Sequence, residues 1–217
     1  RHALGLSSPP PAERFAGQAL AQGYPIGKRF KSALVERSCD TNVKHLGHLH
    51  RADGRWRVYV FADAASPRAE DSKVAAWAKA IVEDPRSFRN RHTPSDGPED
   101  ARFDIKVVYQ QKQTEFAHPD VPAVFRPTSG DLRLLDLNNI FATCRPKHGE
   151  DIFEARGISR DGAVVVVERH RESPETAWPA EFTPTGQKLK KRLYGIARMD
   201  MAVYADPDVE TVAKVED

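Results

Sequence analysis

An α/β domain built on one mixed sheet, with helices over both faces, is predicted by three features of the sequence. The first is Trp56 to Asp63, WRVYVFAD, where Val58, Val60 and Ala62 alternate with Tyr59 and Phe61, so that both faces of one strand are apolar and both must be covered. The second is Val74, Trp77, Ala78, Ile81 and Val82, spaced i, i+3, i+4, i+7 and i+8, which makes one apolar stripe on a helix. The third is a pair of Asp-Gly steps, Asp53-Gly54 and Asp161-Gly162, each lying between apolar runs as hairpin turns do.

The elements are expected in this order. Arg1 to Phe30 reads as a lead-in, with Ser7-Ser8-Pro9-Pro10-Pro11 as a stiff spacer. Ala33 to Arg37 is a short strand, followed by a turn over Ser38 to Asn42. His45 to Asp63 then forms the central hairpin, folded at Asp53-Gly54. Ser66 is placed to cap the following helix with Pro67 at its first position, Glu70 and Asp71 lie near its positive end, and Pro85 ends it. Arg86 to Ala101 is polar and broken by Pro94, Gly97 and Pro98, as a loop would be. Phe103, Ile105, Val107 and Tyr109 alternate as one face of a half-buried strand, and a strand, helix, strand succession favours a parallel crossover.

Beyond Gln110 the pattern is mixed, with a short helix expected over Asp136 to Thr143. Ile152 to Ile158 and Ala163 to Val167 are read as a second hairpin about Ser159-Arg160-Asp161-Gly162. After Glu168 the chain turns polar and proline-rich, then offers a helix from Gln187 to Arg198 carrying Lys188, Lys190, Lys191 and Arg192. Two central strands joined through a helix and closed by a hairpin is the thioredoxin-like plan. The expected division is a lead-in and linker over 1–30, a thioredoxin-like domain over 31–167 and a C-terminal extension over 168–217.

Composition limits what this fold is asked to do. The chain has 217 residues, with 33 basic against 31 acidic, and so no large field to draw in nucleic acid or an anionic membrane. No apolar run approaches the roughly 20 residues that span a bilayer and no signal peptide opens the chain, which points to a cytoplasmic protein. Arg1 is first and the only methionines are Met199 and Met201, so a fragment or a processed product of a longer protein is expected. Neither a GxGxxG nor a Walker pattern occurs, and no phosphate cradle is legible.

Each group that could carry chemistry has a plainer use. A redox thioredoxin needs Cys-x-x-Cys where the crossover helix begins, because the helix N-terminus stabilises the thiolate. Here that stretch is Asp63-Ala64-Ala65-Ser66-Pro67-Arg68, and Cys39 and Cys144 stand far apart as ordinary free thiols. His45, His48 and His50 cluster, but on an extended strand only His48 and His50 would share a face, too few ligands for a metal unless Asp53 or Asp63 joined them. Trp56, Tyr59, Phe61 and Trp77 fall at core periodicity, which argues for packing rather than a stacking platform beside Arg51, Arg55 and Arg57. Catalytic, cofactor-binding and metal-binding residues are accordingly expected to be none.

Four segments in order, GQALAQGYPIGKRFKSALVER, VKHLGHLHRADGRWRVYVFAD, FDIKVVYQQ and DIFEARGISRDGAVVVV, resemble the C-terminal domain of the FAD-dependent phenol hydroxylase and 3-hydroxybenzoate 4-hydroxylase family. The resemblance runs from Gly17 to Val167 and implies a thioredoxin-like, non-catalytic domain that helps to form a homodimer. It also implies FAD-binding and substrate domains in the parent enzyme as partners, with FAD and NADPH used there to hydroxylate a phenolic ring. After Val167 the residues Glu168 to Pro174 depart from the Arg-Pro-Asp run and closing helix of that family, which bears on any dimer contacts made there. The alternative is a stand-alone thioredoxin-like binding protein without redox activity, and a strand, GxGxxG and helix upstream in the gene would discriminate the two.

Overall fold

The computed structural model describes residues 16–26, 28–50, 53–130, 132–170 and 190–197. Its strands are β1 (Leu34–Arg37), β2 (Val43–His45), β3 (Trp56–Phe61), β4 (Phe103–Tyr109), β5 (Thr128–Ser129), β6 (Leu134–Leu135), β7 (Ile140–Ala142), β8 (Ala163–His170) and β9 (Lys190–Ala197). Seven of them form one mixed sheet in the order β2-β1-β7-β4-β3-β8-β9, while β5 and β6 pair as a separate two-stranded ribbon. The helices are α1 (Lys73–Glu83), α2 (Phe88–His92) and α3 (Ile152–Ala155), with single 3-10 turns between elements. This is the expected thioredoxin-like α/β architecture.

β3 occupies the position its two apolar faces demand. It runs parallel to β4, with Val58 opposite Ile105 and Val60 opposite Val107, and antiparallel to β8, with Tyr59 opposite Val165. One face of the sheet presents Val58, Val60, Ile105, Val107, Ile140 and Val164 to Val74, Trp77, Ala78 and Ile81 of α1, and to Phe116, Val121 and Phe125. The opposite face presents Tyr59, Phe61, Val108, Phe141 and Val165 to Tyr24, Phe30, Leu46, Ile152 and Phe153. Burying each large side chain in these layers contributes roughly 1.5–3 kcal/mol, so the sheet is held from both sides.

Several local expectations are corrected by tertiary pairing. The run before Asp53 is not the partner of β3. β2 pairs with β1, Leu34 opposite His45, and Leu46–Leu49 form a 3-10 turn that puts Leu46 into the core. Gly54 does turn with φ 82°, but it feeds β3 toward β4 and β8 rather than back on its predecessor. Ser66 does not cap the helix. Ser72 does, its hydroxyl accepting from Ala75 N at 3.3 Å, so α1 begins at Lys73 and closes at the Asp84 cap just before Pro85. Within Arg86 to Ala101, Ser87 caps a further short helix that buries Phe88.

β4 is buried along its whole length rather than on one face, because β3 and β7 flank it and a core covers each side. The helix expected over Asp136 to Thr143 is instead β7, parallel to β4, with Ile140 opposite Val107. Ile152–Ala155 is a helical turn capped by Asp151, so only Ala163 onward is a strand, although Gly162 makes the expected turn with φ 87°. Lys190–Ala197 pairs with β8 as a strand where a helix was expected, and Lys188 lies outside the described residues.

Candidate functional site

Four places on this scaffold were open to function. At the C-terminal end of β3, where a redox thioredoxin-like domain presents a thiolate, the chain presents the buried carboxylate of Asp63, whose Oδ2 accepts from Lys73 N at 3.4 Å. A negative charge already stands at the positive end of α1. The two cysteines are free, Cys39 exposed and Cys144 buried. Burial pushes the Cys144 thiol up to about 11, and the Glu36 and Asp151 charges add to it. Burial also raises Cys39. Both shifts oppose formation of a nucleophilic thiolate.

The histidines separate differently from the extended-strand expectation. The 3-10 turn brings the rings of His45 and His48 to 4.8 Å, while His50 packs at 5.4 Å from the Phe30 ring and 5.5 Å from that of Tyr59. Burial holds His50 down to about 4, helped by the nearby Arg57 and Lys106 charges. Among the described residues no group of three or more His, Cys, Asp or Glu is placed to hold a metal. Tyr59, Phe61 and Trp77 are buried in the two cores, on opposite sides of the sheet.

The N-terminal ends of β3 and β4 carry a buried polar network that the sequence did not announce. Lys106 donates to Asp104 Oδ1 at 2.8 Å, Asn139 Oδ1 at 2.7 Å and Asn138 O at 3.0 Å. Arg57 Nε lies 3.0 Å from Asp104 Oδ2, and its guanidinium donates to Asp53 Oδ1 at 2.7 Å. A second knot joins β1 to the segment after β7. There the fully buried Glu36 accepts from Arg145 N at 2.9 Å and Arg145 Nε at 3.1 Å, and meets His148 Nδ1 at 2.8 Å. Burial alone would raise the Glu36 carboxyl, but its hydrogen bonds to Arg145 and His148 outweigh that and lower it. Every charge here has a partner within the chain, which suits fastening of strands better than chemistry.

What the fold does turn outward is apolar surface. Of the exposed large hydrophobic residues among those described, four fall in one segment: Leu132, Leu134, Leu135 and Leu137, on and beside β6. β5 and β6 form a sheet of their own, and near its turn Gly130 (φ 71°) has no neighbouring atom within 4 Å of where a Cβ would lie. Sequence reasoning passed over this segment. Its signal was leucine density in a stretch with neither helical nor strand partners for those leucines.

The model of one protein family, described as phenol hydroxylase, C-terminal dimerisation domain, matches residues 10–169. The chain belongs to this family. Among curated relatives, the dimerisation domain is 40% identical over 151 residues to a 3-hydroxybenzoate 4-monooxygenase of Comamonas testosteroni, covering 69% of this chain and 24% of that protein. It is 26% identical over 156 residues to the FAD-dependent monooxygenase terD of Aspergillus terreus, covering 70% of this chain and 25% of that protein. The chain thus spans about a quarter of the length of the curated relatives it matches. No helix among the described residues is long and apolar enough to cross a membrane.

Proposed function

We propose that this chain is the dimerisation module of a phenol 2-monooxygenase-type enzyme that uses FAD, NADPH and oxygen to hydroxylate a phenolic ring in the cytoplasm. The observation that carries the reading is the family match over residues 10–169 in a chain that spans only a quarter of its monooxygenase relatives. The flavin chemistry belongs, in this reading, to the FAD-binding and substrate domains of the parent, and the chain itself has no catalytic, cofactor-binding or metal-binding residue. The residues present do not suit FAD, since the chain lacks a GxGxxG and places a carboxylate at the N-terminus of α1, the end that would otherwise favour a pyrophosphate.

The 31–167 unit would then be the working body of the module, with 1–30 and 168–217 as appendages to it. Tyr24 and Phe30 in the second core, and β9 along the edge of β8, fasten both flanking segments to that body. Light scattering across a concentration series tests the reading together with an FAD titration. A dimer mass without saturable FAD binding is expected. A monomer at every concentration would count against dimerisation by this chain, and stoichiometric FAD binding would count against a non-catalytic module.

A further inference from the structure

Where β3 and β4 end, the buried atoms Asp63 Oδ1, Tyr109 Oη and Gln111 Oε1 have no hydrogen-bond partner among the described residues. Their nearness follows from the ladder. Phe61 lies opposite Val108, and Ala62 N still donates to Val108 O at 2.9 Å, so Asp63 comes level with Gln110, between Tyr109 and Gln111. Asp63 Oδ2 accepts from Lys73 N at 3.4 Å, which turns the carboxylate to the side of the sheet that α1 covers, and Tyr109 belongs to the core on that side. Burial, with the Asp63 charge beside it, holds the Tyr109 phenol well above its usual range. Gln111 reaches over the same link, its Nε2 donating to Ala64 O at 2.7 Å and Ala65 O at 3.1 Å.

What these atoms require is set by their chemistry. The Gln111 amide cannot be turned over, because carbonyls take both of its protons, so Oε1 remains an acceptor. The ionised Asp63 carboxylate is an acceptor only, and Tyr109 brings one proton for the two of them. A molecule with two donor protons and a lone pair completes the set. We propose that one internal water is bound here, donating to Asp63 Oδ1 and Gln111 Oε1 and accepting from Tyr109 Oη. About three hydrogen bonds to otherwise unpaired polar groups are the usual complement of a buried water. A larger guest has no way in, since Asp63 is 6% exposed and Tyr109 1%. A metal ion suits the place less, because among the described residues no three His, Cys, Asp or Glu side chains gather around one. The water ties the end of β4 to the link that enters α1, at the strand ends where open α/β sheets otherwise receive ligands.

Two measurements on the full 217-residue chain and its Tyr109→Phe variant test the assignment. The substitution removes one hydroxyl and leaves the ring in place. Relaxation dispersion of the solvent water signal counts long-lived internal waters, and thermal unfolding reads the contribution of the hydroxyl. The variant is expected to hold one such water fewer and to melt about 2–4 °C lower, because a hydrogen bond made in the native state is lost.

An equal or higher midpoint would overturn the proposal, since deleting a buried hydroxyl that has no partner relieves a desolvation cost. A lower midpoint with an unchanged count of waters would overturn it too, Tyr109 then donating directly to Asp63. A crystal structure of the wild-type chain decides without any variant. One density peak about 2.7–3.0 Å from all three atoms is expected, whereas Tyr109 Oη in direct contact with Asp63 Oδ1, or no peak between them, sinks the assignment.

Discussion

His50 and Lys106 are polar residues packed against an aromatic and aliphatic core, and each is expected to report on that environment. In the folded chain His50 stays neutral down to about pH 4, because it is buried beside Phe30 and Tyr59 and faces the positive charges of Arg57 and Lys106. Unfolding releases it to its ordinary value of 6.5, so between pH 6.5 and 4 the unfolded state binds more protons. Stability should therefore fall as pH drops through that window, by roughly 2–3 kcal/mol, allowing for partial exposure. Urea unfolding at pH 7 and pH 4.5 measures most of it. His50→Phe should flatten the dependence between those values. Glu36, whose carboxyl is lowered, acts only further down, its contribution being lost as pH falls below its unfolded value of 4.5. For Lys106, substitution by Met removes the donor to Asn139 and Asn138 and leaves Asp104 to Arg57 alone. A loss of about 3 kcal/mol is expected in denaturant unfolding, since truncating one member of a buried network strands the others.

The start of α1 shows how an element can be identified without its boundary. Val74, Trp77, Ala78 and Ile81 lie buried along the expected stripe, and Val82 at its margin is exposed, so periodicity was a sound guide to which residues face the sheet. The cap was not legible, because Ser66-Pro67 and Ser72 are both acceptable starts and only the length of the link from β3 decides between them. Ser72→Ala should cost about 1 kcal/mol, whereas Ser66→Ala should stay within about 0.5 kcal/mol. Thermal unfolding of the two variants separates the two starts. Trp77→Ala should cost about 3–5 kcal/mol, because Trp77 stacks on Phe125 at 5.9 Å and fills the layer between α1 and the sheet. Short elements were the least legible. Ile140–Ala142 and Ile152–Ala155 hold three and four residues, too few to show a period of two or of 3.6.

For the whole molecule, β9 covers an edge that would otherwise be open. A chain ended at Val167 should lose β9 and leave β8 unpaired on one side, and increased scattering at high concentration is expected of it relative to the full chain. By itself the sequence determined the class of fold, the central place of β3, the apolar face of α1 and the turns at Gly54 and Gly162. Its four ordered segments also pointed to the family that residues 10–169 match. These follow from alternation, helical spacing and turn chemistry, all of which act between neighbours. Tertiary structure alone decided the partners: β2 on β1 rather than on β3, β7 beside β4, and β8 carrying β9. It also decided that His50 packs inward while the leucines beside β6 stay in water. An apolar face states that it must be covered, but which distant segment covers it depends on how all the faces can be satisfied together.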